Sequence, residues 1–96
     1  MGQIMTLLDV IAQLDDLDAE STIYAMEPWT SSSSAIVAYE PTSGGLPESA
    51  NELGLKYFLE VFLAKEILED WAATLPAKPD DLKKFRRLID YAVNDA

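Results

Sequence analysis

The chain has no cysteine and no histidine. The first absence removes disulfides, thiolate metal sites and cysteine nucleophiles. The second removes the commonest general base and transition-metal ligand. No apolar run is long enough to span a bilayer, and the N-terminus lacks the charged segment of a secretory signal. A cytoplasmic location is the expectation. One absence is local. Residues 1–55 contain no lysine or arginine, yet they hold nine carboxylates: Asp9, Asp15, Asp16, Asp18, Glu20, Glu27, Glu40, Glu48 and Glu52. All seven cations lie in the remainder, so almost all of the net −10 sits in one half of the chain. A field of that sign repels nucleic acid and anionic membrane and attracts basic partners.

What is present is a globular composition. At 49% apolar and 25% charged residues, the chain is too apolar for a disordered acidic tail. Its 96 residues make one domain with a modest core. Met1-Gly2-Gln3-Ile4-Met5-Thr6 matches the M-G-x-x-x-[ST] acylation pattern. A single acyl chain anchors weakly, no polybasic signal stands beside it, and the acidic half opposes an anionic leaflet. An unmodified start is the expectation.

Thr6-Leu7-Leu8-Asp9 reads as a capping box, with Met5 and Val10 placed as a hydrophobic staple. Leu7, Leu8, Ile11 and Leu14 mark one face of a short helix. The carboxylates from Asp15 to Glu20 oppose the helix dipole, so the helix should stop near Leu14. Segments 21–26 and 35–40 carry Ile23, Tyr24, Ile36, Val37 and Tyr39 and read as two strands. The Ser-rich segment 27–34 between them makes a β-hairpin with a long loop. Both faces of that hairpin are apolar and want cover, from helices or from another chain.

Pro41 to Asn51 reads as a second loop around Ser43-Gly44-Gly45 and Pro47. A long central helix is then expected from Leu53 to Leu75, with Tyr57, Val61, Ala64, Leu68, Trp71 and Leu75 as its seam. In its first half Leu55, Phe58, Leu59 and Phe62 add a second apolar face. Pro79 at the first helical position, with Asp80 and Asp81 in the first turn, opens a last helix. Leu82, Phe85, Leu88, Ile89 and Ala92 form its expected buried face. The expected fold is α+β in the order α-β-β-α-α: a β-hairpin packed on a long central helix, with short N-terminal and C-terminal helices.

Four features of the sequence bear on chemistry. Asp16, Asp18, Glu20 and Glu27 occupy positions 1, 3, 5 and 12 of an EF-hand loop. Ser21 stands where that loop needs glycine, and Pro28 where the exiting helix should run. A solvated acidic turn is the expected state, and neither metal nor cofactor is called for. Catalysis by paired carboxylates needs no histidine, but these lie in turns with no apolar run to raise one pKa. G-x-S-x-G, Walker and G-x-G-x-x-G motifs are absent, and Ser31 to Ser34 reads as a flexible loop. Trp29 either plugs the edge of the core or projects as an anchor, while Trp71 reads as core. Lys78, Lys83, Lys84, Arg86 and Arg87 form a basic patch, with Lys83, Lys84 and Arg87 on one exposed face. Asp80, Asp81 and Asp90 at helical spacing account for much of it.

The reading that follows is a non-catalytic protein-binding module. It is a small acidic protein of the immunity, antitoxin or inhibitor type, acting on a basic protein such as a nuclease or other nucleic-acid-binding protein. The expected binding surface is Asp15, Asp16, Asp18, Glu20, Glu27 and Trp29. The alternative is a structural or accessory subunit that homodimerises through the hairpin and the long helix. A carboxylate metal site or enzyme would require carboxylates converging in one pocket.

Overall fold

A computed structural model of the chain describes residues 4–42 and 44–94. The first three residues of the acylation pattern, and Ser43 of the Gly-rich turn, lie outside that range. The hairpin forms as read. β2 (Thr22–Ala25) and β3 (Ser34–Ala38) pair antiparallel, with Ile23 opposite Val37 and Tyr24 opposite Ile36. Ser33 orders the connecting loop: its hydroxyl accepts from the Thr30 amide at 2.8 Å and donates to the Pro28 carbonyl at 3.2 Å.

The hairpin is not alone. Among the described residues the sheet has four strands in the order β1-β3-β2-β4, all antiparallel. β1 (Met5–Thr6) precedes α1 (Leu7–Ala12), and β4 (Lys56–Glu60) follows α2 (Glu48–Leu53). The long central helix is therefore corrected. Its N-terminal half is strand β4, and only Val61–Ala72 is helix, α3. A segment that is apolar on all sides suits a strand covered on both faces as well as it suits a buried helix. The expected loop 41–51 likewise yields α2, which ends at Gly54 in the left-handed region with φ of 73°. Gly54→Ala is expected to cost about 1 kcal/mol in urea denaturation, from that backbone conformation alone. A Cβ there would meet only the Met26 terminal methyl at an ordinary 3.9 Å.

Each face of the sheet has its own cover. Ile23, Ala25 and Ala35 face the main core, where α1, α3 and α4 (Asp81–Asn94) supply Leu7, Val10, Ile11, Val61, Ala64, Phe85, Leu88 and Ala92. On the other face Tyr24 and Ile36 pack against Ala50 and Leu55. So the hairpin's two-sided hunger for cover is met within the chain. A bulge in β4, where the register shifts between Ile23 and Tyr24, turns both Phe58 and Leu59 into the main core.

The local signals at the helix ends mostly hold. The Thr6 hydroxyl accepts from the Asp9 amide at 3.1 Å and caps α1. The helix stops at Ala12, and a single 3-10 turn covers Leu14–Asp16. In α4 the cap is Asp80, whose carboxylate accepts from the Lys83 amide at 2.9 Å, so Pro79 lies before the helix rather than at its first position. Leu82 is exposed, not buried. Trp71 is half-buried and lies outside the buried core cluster.

Candidate functional site

The residues expected to form one binding surface are divided by the sheet. Asp15 and Asp16 are exposed on the 3-10 turn, and Asp18 and Glu20 are exposed on the turn that leads into β2. Glu27 and Trp29 follow the other end of β2. The EF-hand count fails for the same reason, because the strand Thr22–Ala25 runs through the middle of the loop.

Trp29 takes the core position of its two readings. Its indole N–H donates to the Ala25 carbonyl at 3.3 Å. Its ring meets Phe58 edge-to-face, with centroids 4.9 Å apart and planes at 86°. The residue is half-buried and closes the end of the main core beneath the 26–33 loop.

Asp18 is the most constrained of the carboxylates. One oxygen accepts from the Glu20 amide at 3.0 Å, and the other accepts from the Tyr39 hydroxyl. The Asp18 carbonyl also accepts from the Ser21 backbone amide at 3.0 Å. The Tyr39 hydrogen bond, then the Glu20 amide and the nearby Lys65 charge, hold the Asp18 carboxyl below its ordinary range. The same bond raises the Tyr39 hydroxyl, and the charge of Asp18 adds to the effect. Because Asp18 is lowered on folding, its contribution is present above the unfolded carboxylate range and is lost as pH falls through the folded value. Tyr39, raised on folding, contributes below its unfolded value and loses that contribution as pH rises through the folded one. In a Tyr39→Phe variant the Asp18 carboxyl should titrate at higher pH than in the parent, by carboxyl-carbon NMR. An unmoved titration would show that the bond is absent in solution.

Carboxylates do converge at one place, and the convergence includes residues that sequence reasoning left out. A depression of about 410 Å³ is lined by Glu20, Ser21, Thr22, Glu40, Glu60 and Phe62, with Ala19 at its edge. Register explains the grouping. Thr22 at the start of β2 pairs with Ala38 near the end of β3 and with Glu60 at the end of β4. Glu20 lies two residues before β2, Glu40 two residues after β3, and Phe62 in the first turn of α3 directly after β4, so three neighbouring strand ends bring them to one hollow. Thr22 and its partners Ala38 and Glu60 lie on the face that carries Tyr24. At its other end α2 and Leu55 cover that face, and at this end the carboxylates line an open hollow. No lysine or arginine is among the lining residues.

Neither a known family, nor a curated protein, nor a solved structure matches the chain. The site is therefore read from its own chemistry. Among the described residues no three carboxylates come close enough to hold one metal ion. Burial pushes the Tyr24 hydroxyl up, and the charges of Glu40 and Glu60 add to that, with the Thr22 hydroxyl working against it.

The basic patch is only partly free. Lys84 reaches Asp81 at 4.0 Å and is half-buried with Arg87, while Lys83 and Arg86 are exposed. Lys84 and Lys78 instead border a second hollow of about 220 Å³, beside Lys65, Leu68 and Asp15. The Lys65 ammonium donates to the Leu17 carbonyl at 2.9 Å, which pins α3 to the acidic turn.

Proposed function

We propose that this chain is a non-catalytic protein-binding module that engages a basic protein partner through its carboxylate-rich surface. The observation that carries the reading is the lack of internal compensation. Among the described residues the one ion pair within 4.0 Å is Lys84–Asp81. Asp15, Asp16, Asp18, Glu20, Glu27, Glu40 and Glu60 thus keep their charge facing solvent rather than spending it on internal pairs. Self-repulsion of that kind opposes folding, and it gives electrostatic attraction to a basic surface in return. The acidic end of the sheet, Asp18 and Glu20 with Glu40 and Glu60, is the principal contact. Asp15 and Asp16 flank it, and Glu27 with the half-buried Trp29 forms a separate outlying part.

The type of partner follows from sign alone: a protein whose own binding face is basic, as in toxins and other nucleic-acid-binding proteins. Immobilised chain should retain basic proteins at low ionic strength and release them as salt rises. A variant with Asp18, Glu20, Glu40 and Glu60 changed to the corresponding amides should retain far less. Retention of only neutral or acidic proteins, or equal retention by the amide variant, would overturn the reading.

A second-copy reading has one observation in its favour. β4 is an edge strand, and Tyr57 on it is 42% exposed. The bulge in β4 weighs against pairing with a further strand. Light scattering that gives a monomer mass at about 100 µM, well above the range of stable dimers, removes this reading.

A further inference from the structure

Three of the seven cations of this acidic chain, Lys65, Lys78 and Lys84, border one apolar hollow of about 220 Å³ between α1, α3 and the start of α4. We propose that this hollow binds a small free carboxylate with an apolar body, the size of a medium-chain fatty acid or a one-ring aromatic acid. The body rests on the apolar residues and the carboxylate meets the lysines. The hollow shares no lining residue with the one at the end of the sheet, so the site stands or falls independently of the protein-binding reading.

Helical spacing builds one wall. Lys65, Leu68 and Ala72 lie three and four residues apart on α3, so they share a face. Ile11 on α1 and Leu14 in the turn after it supply apolar surface from the other side, and buried Pro79 adds to it from the segment before α4. Apolar walls with a few polar groups among them are the usual make-up of a small-molecule site. A cavity of about 150 Å³ accepts benzene, so one of about 220 Å³ takes a single ring or a chain of about eight carbons.

The charges select the ligand. Lys65 and Lys84 are half-buried, and the Lys84 side chain is 24% exposed. Asp15 and Glu69 also line the hollow, but both are exposed. Among the described residues neither comes within 4.0 Å of a lysine. The two half-buried ammoniums are therefore the less hydrated charges, and their attraction for an anion is screened less than the repulsion from the carboxylates. Lys65 spends one donor on the Leu17 carbonyl, and Lys84 stands 4.0 Å from Asp81, so each keeps donors for a ligand. Three lysines against two carboxylates leave the lining at +1, which balances a monocarboxylate and not a phosphate dianion.

The test titrates the full chain with octanoate, followed by amide NMR at about 150 mM salt, where exposed charges beyond about 8 Å are screened. Shifts should saturate and should concentrate at Ile11 to Asp15, Lys65 to Ala72 and Lys84. Acetate, which lacks the chain, and octylammonium, which inverts the charge, should each bind at least about tenfold more weakly. Lys78→Gln with Lys84→Gln should weaken octanoate by about fivefold or more, whereas Lys83→Gln with Arg86→Gln, an equal loss of charge at exposed positions of α4, should change it by less than about twofold. Ala72→Phe should fill the hollow and abolish binding, with the far-ultraviolet circular dichroism unchanged. A peptide ending in leucine that binds tighter than octanoate would assign the hollow to a chain end of a protein partner and overturn the free-ligand reading. Inorganic phosphate binding as well as octanoate would overturn the choice of a carboxylate. Octanoate shifts that are absent or do not saturate, or octylammonium binding as well as octanoate, would overturn the site and leave the lysine stems as cover for the apolar residues.

Discussion

Replacing Phe58 by alanine will lower the melting temperature by at least about 12 °C. The figure combines about 3–5 kcal/mol for truncating a buried phenylalanine with about 4–8 °C per kcal/mol in a domain of this size. Phe58 is fully buried, and it sits where the register of β4 shifts, so it enters the main core beside Leu59 instead of alternating with it. Its ring also carries the edge-to-face contact to Trp29 at 4.9 Å. Truncation therefore opens a cavity and removes the support of the residue that closes the 26–33 loop. In a domain of about 5–15 kcal/mol total stability, that is about a fifth or more of what holds it together. Phe58→Leu, which fills most of the same volume, should cost about 1.5 kcal/mol or less. Circular dichroism gives both numbers, and tryptophan fluorescence should report the disturbance at Trp29 before global unfolding. A loss below about 1 kcal/mol for the alanine variant would mean that Phe58 is not in this core.

The case of Phe58 also shows where sequence reasoning reached its limit. The hairpin was legible because Ile23, Tyr24, Ile36 and Val37 flank a Ser-rich breaker. The start of α1 was legible because Thr6 and Asp9 have capping spacing, and the pair does cap. The segment 55–62 was misread because two periods coexist in it. Tyr57, Val61 and Ala64 continue the helical spacing of α3 backwards, and no breaker separates Glu60 from Val61. The punctuation was Gly54, whose left-handed conformation ends α2 and starts the strand. The second signal was apolar character on every side, which a strand covered on both faces also shows. With a strand mistaken for helix, register was beyond reach. Glu20, Glu40 and Glu60 lie far apart in sequence, and only the pairing of Thr22 with Ala38 and Glu60 gathers them. Asp15, Asp16, Asp18 and Glu20 stand out in the sequence by local density, which marks neighbours in the chain and not neighbours in space.

That distinction sets the second large effect. Association with a basic peptide of alternating arginine and glycine should slow by about tenfold or more between about 20 mM and 200 mM salt, because the screening length shrinks from roughly 20 Å to under 10 Å. Dissociation should change far less. The asymmetry arises because long-range attraction acts on the approach, whereas contacts made in the bound state govern escape. Carboxylate substitutions should divide along the same line. Asp15→Asn with Asp16→Asn removes exposed charge outside the hollow at the end of the sheet, so it should lower the association rate and leave dissociation nearly unchanged. Glu40→Gln with Glu60→Gln removes the same number of charges from the hollow itself, so it should lower the association rate by a similar factor and also speed dissociation. Stopped-flow measurements on the two double variants compare equal losses of charge at different places. If both pairs affect only association, the acidic end of the sheet acts as a field and no contact is made in the hollow. If the Glu40 and Glu60 pair alone shortens the lifetime, the carboxylates gathered by strand register hold the partner after the field has brought it in.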